Sequence, residues 1–252
     1  MKQLLFRRWL AGLSAVTASL AVHGATNTLP ASAALPLGSA SDRGFVVRTV
    51  QAPVDAAVLN NSIRALKQIN GTLKDTGGNP VPNEAIPGTG SDGSYNVSVL
   101  SFEKEATTID LTDLDGNPLA TFFPDFFPGI PGSGAHTDKF ALEAVGFLEL
   151  TAGSHTFGVS VTADRTDVND DDGFQVFVAT NPRDFFGLKV AEYQRIAPGF
   201  QANWRNENQF TVIAPSAGIY PFRILYWQTG LGTSLQFYSI NTAVLLDQHR
   251  HG

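Results

Sequence analysis

Residues 155 to 163, HTFGVSVTA, alternate strictly: Phe157, Val159 and Val161 interleave with Thr156, Gly158, Ser160 and Thr162. Side chains two apart share one face of a strand, so this run predicts a half-buried β-strand with one apolar and one small, polar face. The pattern returns in GFQVFVAT, FTVIA, IYPFRILYW and LQFYSI, with loops between them. Further strands are expected at residues 44 to 50, at 95 to 102, and in a hairpin from 109–112 through Asp115-Gly116 to 119–123. Residues 74 to 94, rich in Gly, Pro, Asn and Asp, read as a long loop with a small hairpin, and FFPDFFPGIPGSG (122 to 134) as a connector whose phenylalanines pack inward. One segment breaks the rule. Leu59, Ile63 and Leu66 recur at i, i+4 and i+7 ahead of Asn70-Gly71, which predicts a short helix with those three on its buried face. Many short strands and one early helix give an all-β fold, an antiparallel β-sandwich with one short N-terminal helix.

The chain opens with MKQLLFRR and the apolar run WLAGLSAVTASLAV, a positive start and a stretch too short to span a bilayer comfortably. This is the pattern of a secretory signal peptide over residues 1–33, with cleavage expected between 24 and 33: Ala31-Ser32-Ala33 offers one site, and Gly24 lies closer to the end of the apolar run. Residues 34–43 then read as a leader, and 44–248 as a single domain. Without Lys2, Arg7 and Arg8 the 17 basic residues fall to 14 against 23 acidic, about −9 in place of −6. That balance repels phosphate backbones, so nucleic acid is not expected as a partner. No Cys is present, so neither disulfides nor thiolate zinc ligation can hold the fold. No second apolar run follows, and the product is expected to be exported with no membrane span after signal removal: secreted, periplasmic or at the cell surface.

Against this sparse charge, DVNDDDGF at 167 to 174 places four acids within six positions. Adjacent carboxylates repel by about 1 kcal/mol in water and by several near a protein surface, and a bound cation reverses the sign. The spacing is not that of an EF-hand: the glycine comes one position late, and Val178 stands where a bidentate glutamate is required. Oxygen-rich calcium coordination in another geometry remains open. Gly88-Thr89-Gly90-Ser91-Asp92-Gly93 matches a dinucleotide fingerprint in letters only, because a loop precedes it and a strand follows. Ser154 and His155 point to opposite faces of a strand, and nothing pairs Glu143, Glu149, Glu192 or Glu207 as glycosidase carboxylates. His249 and His251 sit in the C-terminal tail. Asn60, Asn70 and Asn96 each open a glycosylation triplet. No catalytic constellation emerges.

The order of landmarks GFLELTAGSHTFGVSV, DDDGF, FTVIAPSAGIYPFRILYW and a Gly-rich loop before LQFYSI resembles the lectin-like domain family named after the anthrax protective antigen. The resemblance runs from about Ala141 to Ile240 and is thin from Gly44 to Asp138. It implies a single non-enzymatic β-sandwich that binds carbohydrate through calcium. By the same resemblance, Asp171 and Asp172, joined by a cis peptide, hold the ion, and Gly173 matches the glycine after them. The loop 228 to 233 adds Gln228 as a side-chain oxygen ligand and backbone carbonyls, with Gly230 and Gly232 among the ligand-binding residues and Trp227 or Tyr226 stacking on the sugar. Two positions depart from the family pattern: Asp170 stands for a serine, as a further candidate ligand, and Gln228 stands where lectin members carry asparagine. The alternative is a structural or adhesive cell-surface module in which calcium only orders loops.

Overall fold

The computed structural model describes residues 26–40, 44–104, 109–112, 118–122, 124–161, 171–184, 186–194, 209–230 and 232–240. The apolar N-terminal run, Asp170, Glu207, Leu231, His249 and His251 lie outside them. Two sheets face each other. The first has the order β1 (Thr26–Thr28), β11 (Gln209–Ala214), β8 (Gly153–Ser160), β13 (Ser234–Ser239) and β4 (Ser101–Glu103). The second has the order β10 (Leu188–Gln194), β9 (Gly173–Val178), β12 (Gly218–Trp227), β7 (Phe140–Leu150), β2 (Phe45–Gln51) and β3 (Tyr95–Val97). All pairings within them are antiparallel except β1 on β11, which is parallel. A separate hairpin joins β5 (Ile109–Thr112) to β6 (Pro118–Phe122). The fold is the expected all-β sandwich. Among the described residues, no helix is long and apolar enough to cross a membrane.

Aromatic rings fill the space between the sheets. Phe222 and Phe237 stack at 5.3 Å, Phe45 meets Phe222 edge-on at 5.7 Å, and Phe127 stacks on Tyr226 at 5.6 Å. Such contacts hold inner faces about 10 Å apart without voids. Of the connector phenylalanines, Phe127 is 3% exposed and belongs to this core, whereas Phe126 is 60% exposed.

Four expectations need correction. First, the domain does not begin at residue 44. Strand β1 pairs with β11, Leu29 and Ala33 are buried, and the Leu35 amide donates to the Ile219 carbonyl at 2.8 Å. Cleavage after Ala33 would strip β1, Leu29 and Ala33 and keep only the Leu35 contact, whereas a cut near Gly24 keeps them all. A chain starting at residue 34 is therefore expected to be less stable than one starting at residue 26, by about 2 to 3 kcal/mol from the lost burial of Leu29 alone. Urea midpoints of the two chains measure this, and equal midpoints would return residues 26–33 to the signal peptide. Second, the run 95–102 is not one strand: β3 ends in the second sheet and β4 begins in the first, so the chain crosses the sandwich between them.

Third, β12 is buried along all ten residues instead of alternating, because its outer face is covered as well as its inner one. Fourth, the helix α1 (Ser62–Ile69) buries Arg64, Ala65, Gln68 and Ile69, while Leu59 and Ile63 are 71% and 64% exposed. Of the expected face, Leu59 precedes the helix and Ile63 points outward, while Leu66 packs inward. The physical reason is hydrogen bonding: the Gln68 amide donates to the Val50 and Lys139 carbonyls at 2.8 and 2.9 Å, and Arg64 reaches further carbonyls described below. Ala65 and Ile69, with the partly buried Leu66, pack on Ala141, Leu225 and Trp227 beneath the helix.

Candidate functional site

Strand register builds the site. In the β12–β9 ladder Trp227 pairs with Gly173, so the next residue of each strand outward, Gln228 and Asp172, meets at the same end of the sheet. Gly173 is required there, since a Cβ on it would lie 2.4 Å from the Trp227 ring. Replacing it with alanine is expected to cost roughly 1 to 3 kcal/mol by overpacking, read as a fall in Tm.

Three segments converge on the two aspartates. The Thr229 amide donates to Asp171 Oδ2 at 3.0 Å, and the Thr229 hydroxyl donates to the same oxygen. The Ser234 amide, at the start of β13, donates to Asp172 Oδ2 at 3.3 Å, so that carboxylate ties one sheet to the other. From the segment before α1, the Asn60 side-chain amide donates to the Asp171 carbonyl. Gln228 is wholly buried and donates through Nε2 to the Thr137 carbonyl at 2.8 Å.

Arg64 locks the helix onto this end. Asn61 caps α1 by accepting from the Arg64 amide at 2.8 Å. The Arg64 guanidinium donates to the carbonyls of Leu59 at 2.8 Å, Phe140 at 3.1 Å and Gln228 at 3.0 Å, and to Gln68 Oε1 at 2.7 Å. Burial pushes its pKa down to about 10, with the Asp171 charge working against that. Burial likewise holds the Asp171 carboxyl above its usual range, opposed by the Thr229 and Gly230 hydrogen bonds and by Arg64.

Hydrogen bonding leaves a specific set of oxygens over. Asn60 Oδ1, Asp171 Oδ1 and Gln228 Oε1 are buried acceptors that no donor reaches. Orphaned buried acceptors are uncommon and call for a physical account. Carboxylate and amide oxygens are the donors that calcium takes. Among the described residues no three or more His, Cys, Asp or Glu side chains gather, so the set is two carboxylates with neutral oxygens. The residues present fit a hard divalent cation.

The expected ligand residues divide. Asp171, Asp172 and Gln228 are brought together, while Asp170 and Leu231 lie outside the described residues. Gly230 is partly exposed, and a Cβ on it would meet nothing within 4 Å, so this part of the rim is open. Gly232 is also partly exposed. The stacking role for Trp227 and Tyr226 is corrected: both are 0% exposed, the first beneath α1 and the second in the aromatic core. The Asp171–Asp172 peptide is trans, against the cis bond implied by the resemblance; the cis bond among the described residues joins Ile130 and Pro131. The trans form is the ordinary state of a non-proline bond, and the Thr229, Ser234 and Asn60 donors hold both aspartates in it. The Gln228 carbonyl accepts from Arg64, which occupies one of its two lone pairs.

The remaining candidates are structural. His155 is buried, with Nε2 2.8 Å from the Thr151 carbonyl. Glu143 is enclosed by arginines, and Glu192 by Lys189 and Gln175. The Gly88–Gly93 loop closes on itself through a 2.9 Å backbone bond and leads into β3. Of the three triplet asparagines, Asn70 and Asn96 are exposed, and Asn60 is occupied at the tip. Sequence reasoning missed Asn60, Arg64 and Thr137. The only signal for Arg64 was a second stripe on the helix, Arg64, Ala65, Gln68 and Ile69, at the same helical spacing as the apolar one.

No family model matches this chain, and no curated protein matches it. Solved structures with a similar arrangement include the epithelial adhesin 9 A domain from Candida glabrata in complex with Galb1-3GlcNAc: identity 12%, 87% of this chain and 88% of that one, TM-score 0.40. A PA14 sugar-binding domain from an RTX adhesin covers 81% of this chain and 94% of its own, at 16% identity and a TM-score of 0.37. The PA14 domain of the MpAFP antifreeze protein covers 83% and 95%, at 13% identity and a TM-score of 0.37. Values this low leave both site and ligand to be read from the residues of this chain.

Proposed function

We propose that this protein is an exported, non-enzymatic module that binds carbohydrate through calcium held at the loop end of the sandwich. The observation that carries the reading is the pair of orphaned oxygens, Asp171 Oδ1 and Gln228 Oε1, on residues fixed by Thr229 and Thr137. Asp171, Asp172 and Gln228 would hold the ion, and a calcium ion so held supplies open coordination positions for vicinal hydroxyls. The open rim at Gly230 admits the ligand. Leu59, exposed and next to Asn60, offers the apolar surface that the buried Trp227 cannot.

Calcium at millimolar concentration is expected to raise Tm, as any ligand specific for the folded state must. Asp171→Asn is expected to abolish the rise, and Asp172→Ala to do the same if it folds. A glycan array on the same protein should show hits that vanish with a chelator. Leu59→Ser should weaken those hits and leave the calcium-induced rise in place. No Tm change in calcium would end the proposal.

One observation favours a second reading, in which calcium only orders the loops: Tyr226 and Trp227, the two aromatics that lead into Gln228, are both fully buried. A calcium-dependent Tm rise with an empty array would select it.

A further inference from the structure

The outer face of the second sheet carries a separate cluster. Arg48 on β2 pairs in register with Glu143 on β7, and Arg223 on β12 lies across from Val145, two residues along β7 on the same face. Arg183, from the connection between β9 and β10, folds over them. Three guanidinium groups therefore surround one carboxylate that is itself 3% exposed.

One carboxylate cannot satisfy them. Its two oxygens accept about four hydrogen bonds, whereas three guanidinium groups carry about fifteen N–H. The distances say the same. Arg183 Nε reaches Glu143 Oε2 at 2.9 Å, while Arg48 Nη2 and Arg223 Nη1 stop at 3.7 Å, beyond hydrogen-bond range. Arg48 Nε and both Nε and Nη2 of Arg223 are buried and reach no acceptor. A further acid, Asp92, is 42% exposed and 3.9 Å from Arg183 Nη2, a contact worth little in water.

The cluster is also shaped. The Arg223 guanidinium lies 4.7 Å over the Phe177 ring, so its face is covered and its N–H edge is left to point along the sheet. Arg223 forms the floor at 5% side-chain exposure, and Arg48 and Arg183, at 25% and 45%, form a wall open to water. Burial lowers the Arg223 pKa, Glu143 opposes that, and the positive charge of Arg183 adds to it. Charge of one sign is in excess here, in a chain that is acidic overall.

We propose that Arg48, Arg183 and Arg223 form a site for an oxyanion, a carboxylate, sulfate or phosphate group. Planar guanidinium forks match the paired oxygens of such groups, and an incoming anion would accept from the N–H groups that Glu143 cannot reach. Two sources share this chemistry: a free inorganic anion, or an acidic group on a polymer such as a uronate or sulfated polysaccharide. The site is distinct from the calcium end and does not depend on it.

The test uses the whole protein in chelator, which keeps it independent of the calcium reading. Sodium sulfate is titrated at constant ionic strength against chloride while Tm is followed. A saturable rise is expected in the wild type, and its loss or a severalfold weaker half-saturation in Arg183→Gln and in Arg48→Gln, both at partly exposed positions where the fold tolerates change. Dextran sulfate and polygalacturonate, with neutral dextran as control, separate the sources. Half-saturation at much lower acidic-group concentration on the polymer assigns a polymer-borne anion, and equal values assign a free one. A rise that does not saturate, or one that is the same in both variants, would overturn the site.

Discussion

Arg64→Met is expected to lower the stability of the apo protein by about 3 to 5 kcal/mol, the cost of removing one member of a buried charged network. The side chain is 3% exposed and fills the acceptors of Leu59, Phe140 and Gln228, which come from three separate segments. Methionine has a similar length and no donor, so the Leu59 and Gln228 carbonyls and Gln68 Oε1 lose the guanidinium at once, and the Phe140 carbonyl keeps only the Gln228 amide. Arg64→Lys retains the charge but cannot span three acceptors, and should fall between the two. Urea midpoints in chelator give the numbers. A loss under about 1 kcal/mol would mean that water replaces the guanidinium, and that α1 is not clamped in the manner described. The calcium-induced rise in Tm should persist in the variant, because a guanidinium beside Asp171 repels a cation and does not ligate it.

Glu143→Gln is the second large effect. The substitution is nearly isosteric, yet it removes the carboxylate facing Arg48, Arg183 and Arg223. A loss of about 3 kcal/mol or more is expected in chloride buffer. Asp92→Asn is the control. It alters an ion pair exposed on both sides, and is expected to change stability by less than about 0.5 kcal/mol. If the two variants were equally mild, Glu143 would not be the buried counter-charge of the cluster.

Much of the sandwich was legible because period-2 patterns reach the eye directly, as in β8 and β11. Where the period is broken, it was not. Strand β10 was missed, and its ladder with β9 carries a register shift between Lys189 and Ala191 that interrupts the alternation. The division between β3 and β4 was invisible, since a chain that changes sheets keeps its strand-like composition. The aspartates and Gln228 could be named from sequence because they adjoin the landmarks of two adjacent strands, the aspartates just before β9 and Gln228 just after β12. Arg64 and Asn60 could not, because each has a backbone carbonyl partner more than a hundred residues away in the chain, Asn60 at Asp171 and Arg64 at Gln228. Carbonyls look alike whatever residue bears them. The helix face was misread for a related reason: hydropathy ranks Leu59 and Ile63 above Arg64 and Gln68, while the sheet end beneath offered acceptors as well as apolar surface.

The outward Ile63 also makes this protein convenient to instrument. The chain contains no cysteine, so Ile63→Cys would create a unique thiol, 64% exposed at the native residue and three residues along the chain from Asn60. A fluorophore attached there would ride on the clamp itself, and changes in its emission would track occupancy of the neighbouring tip without touching either sheet.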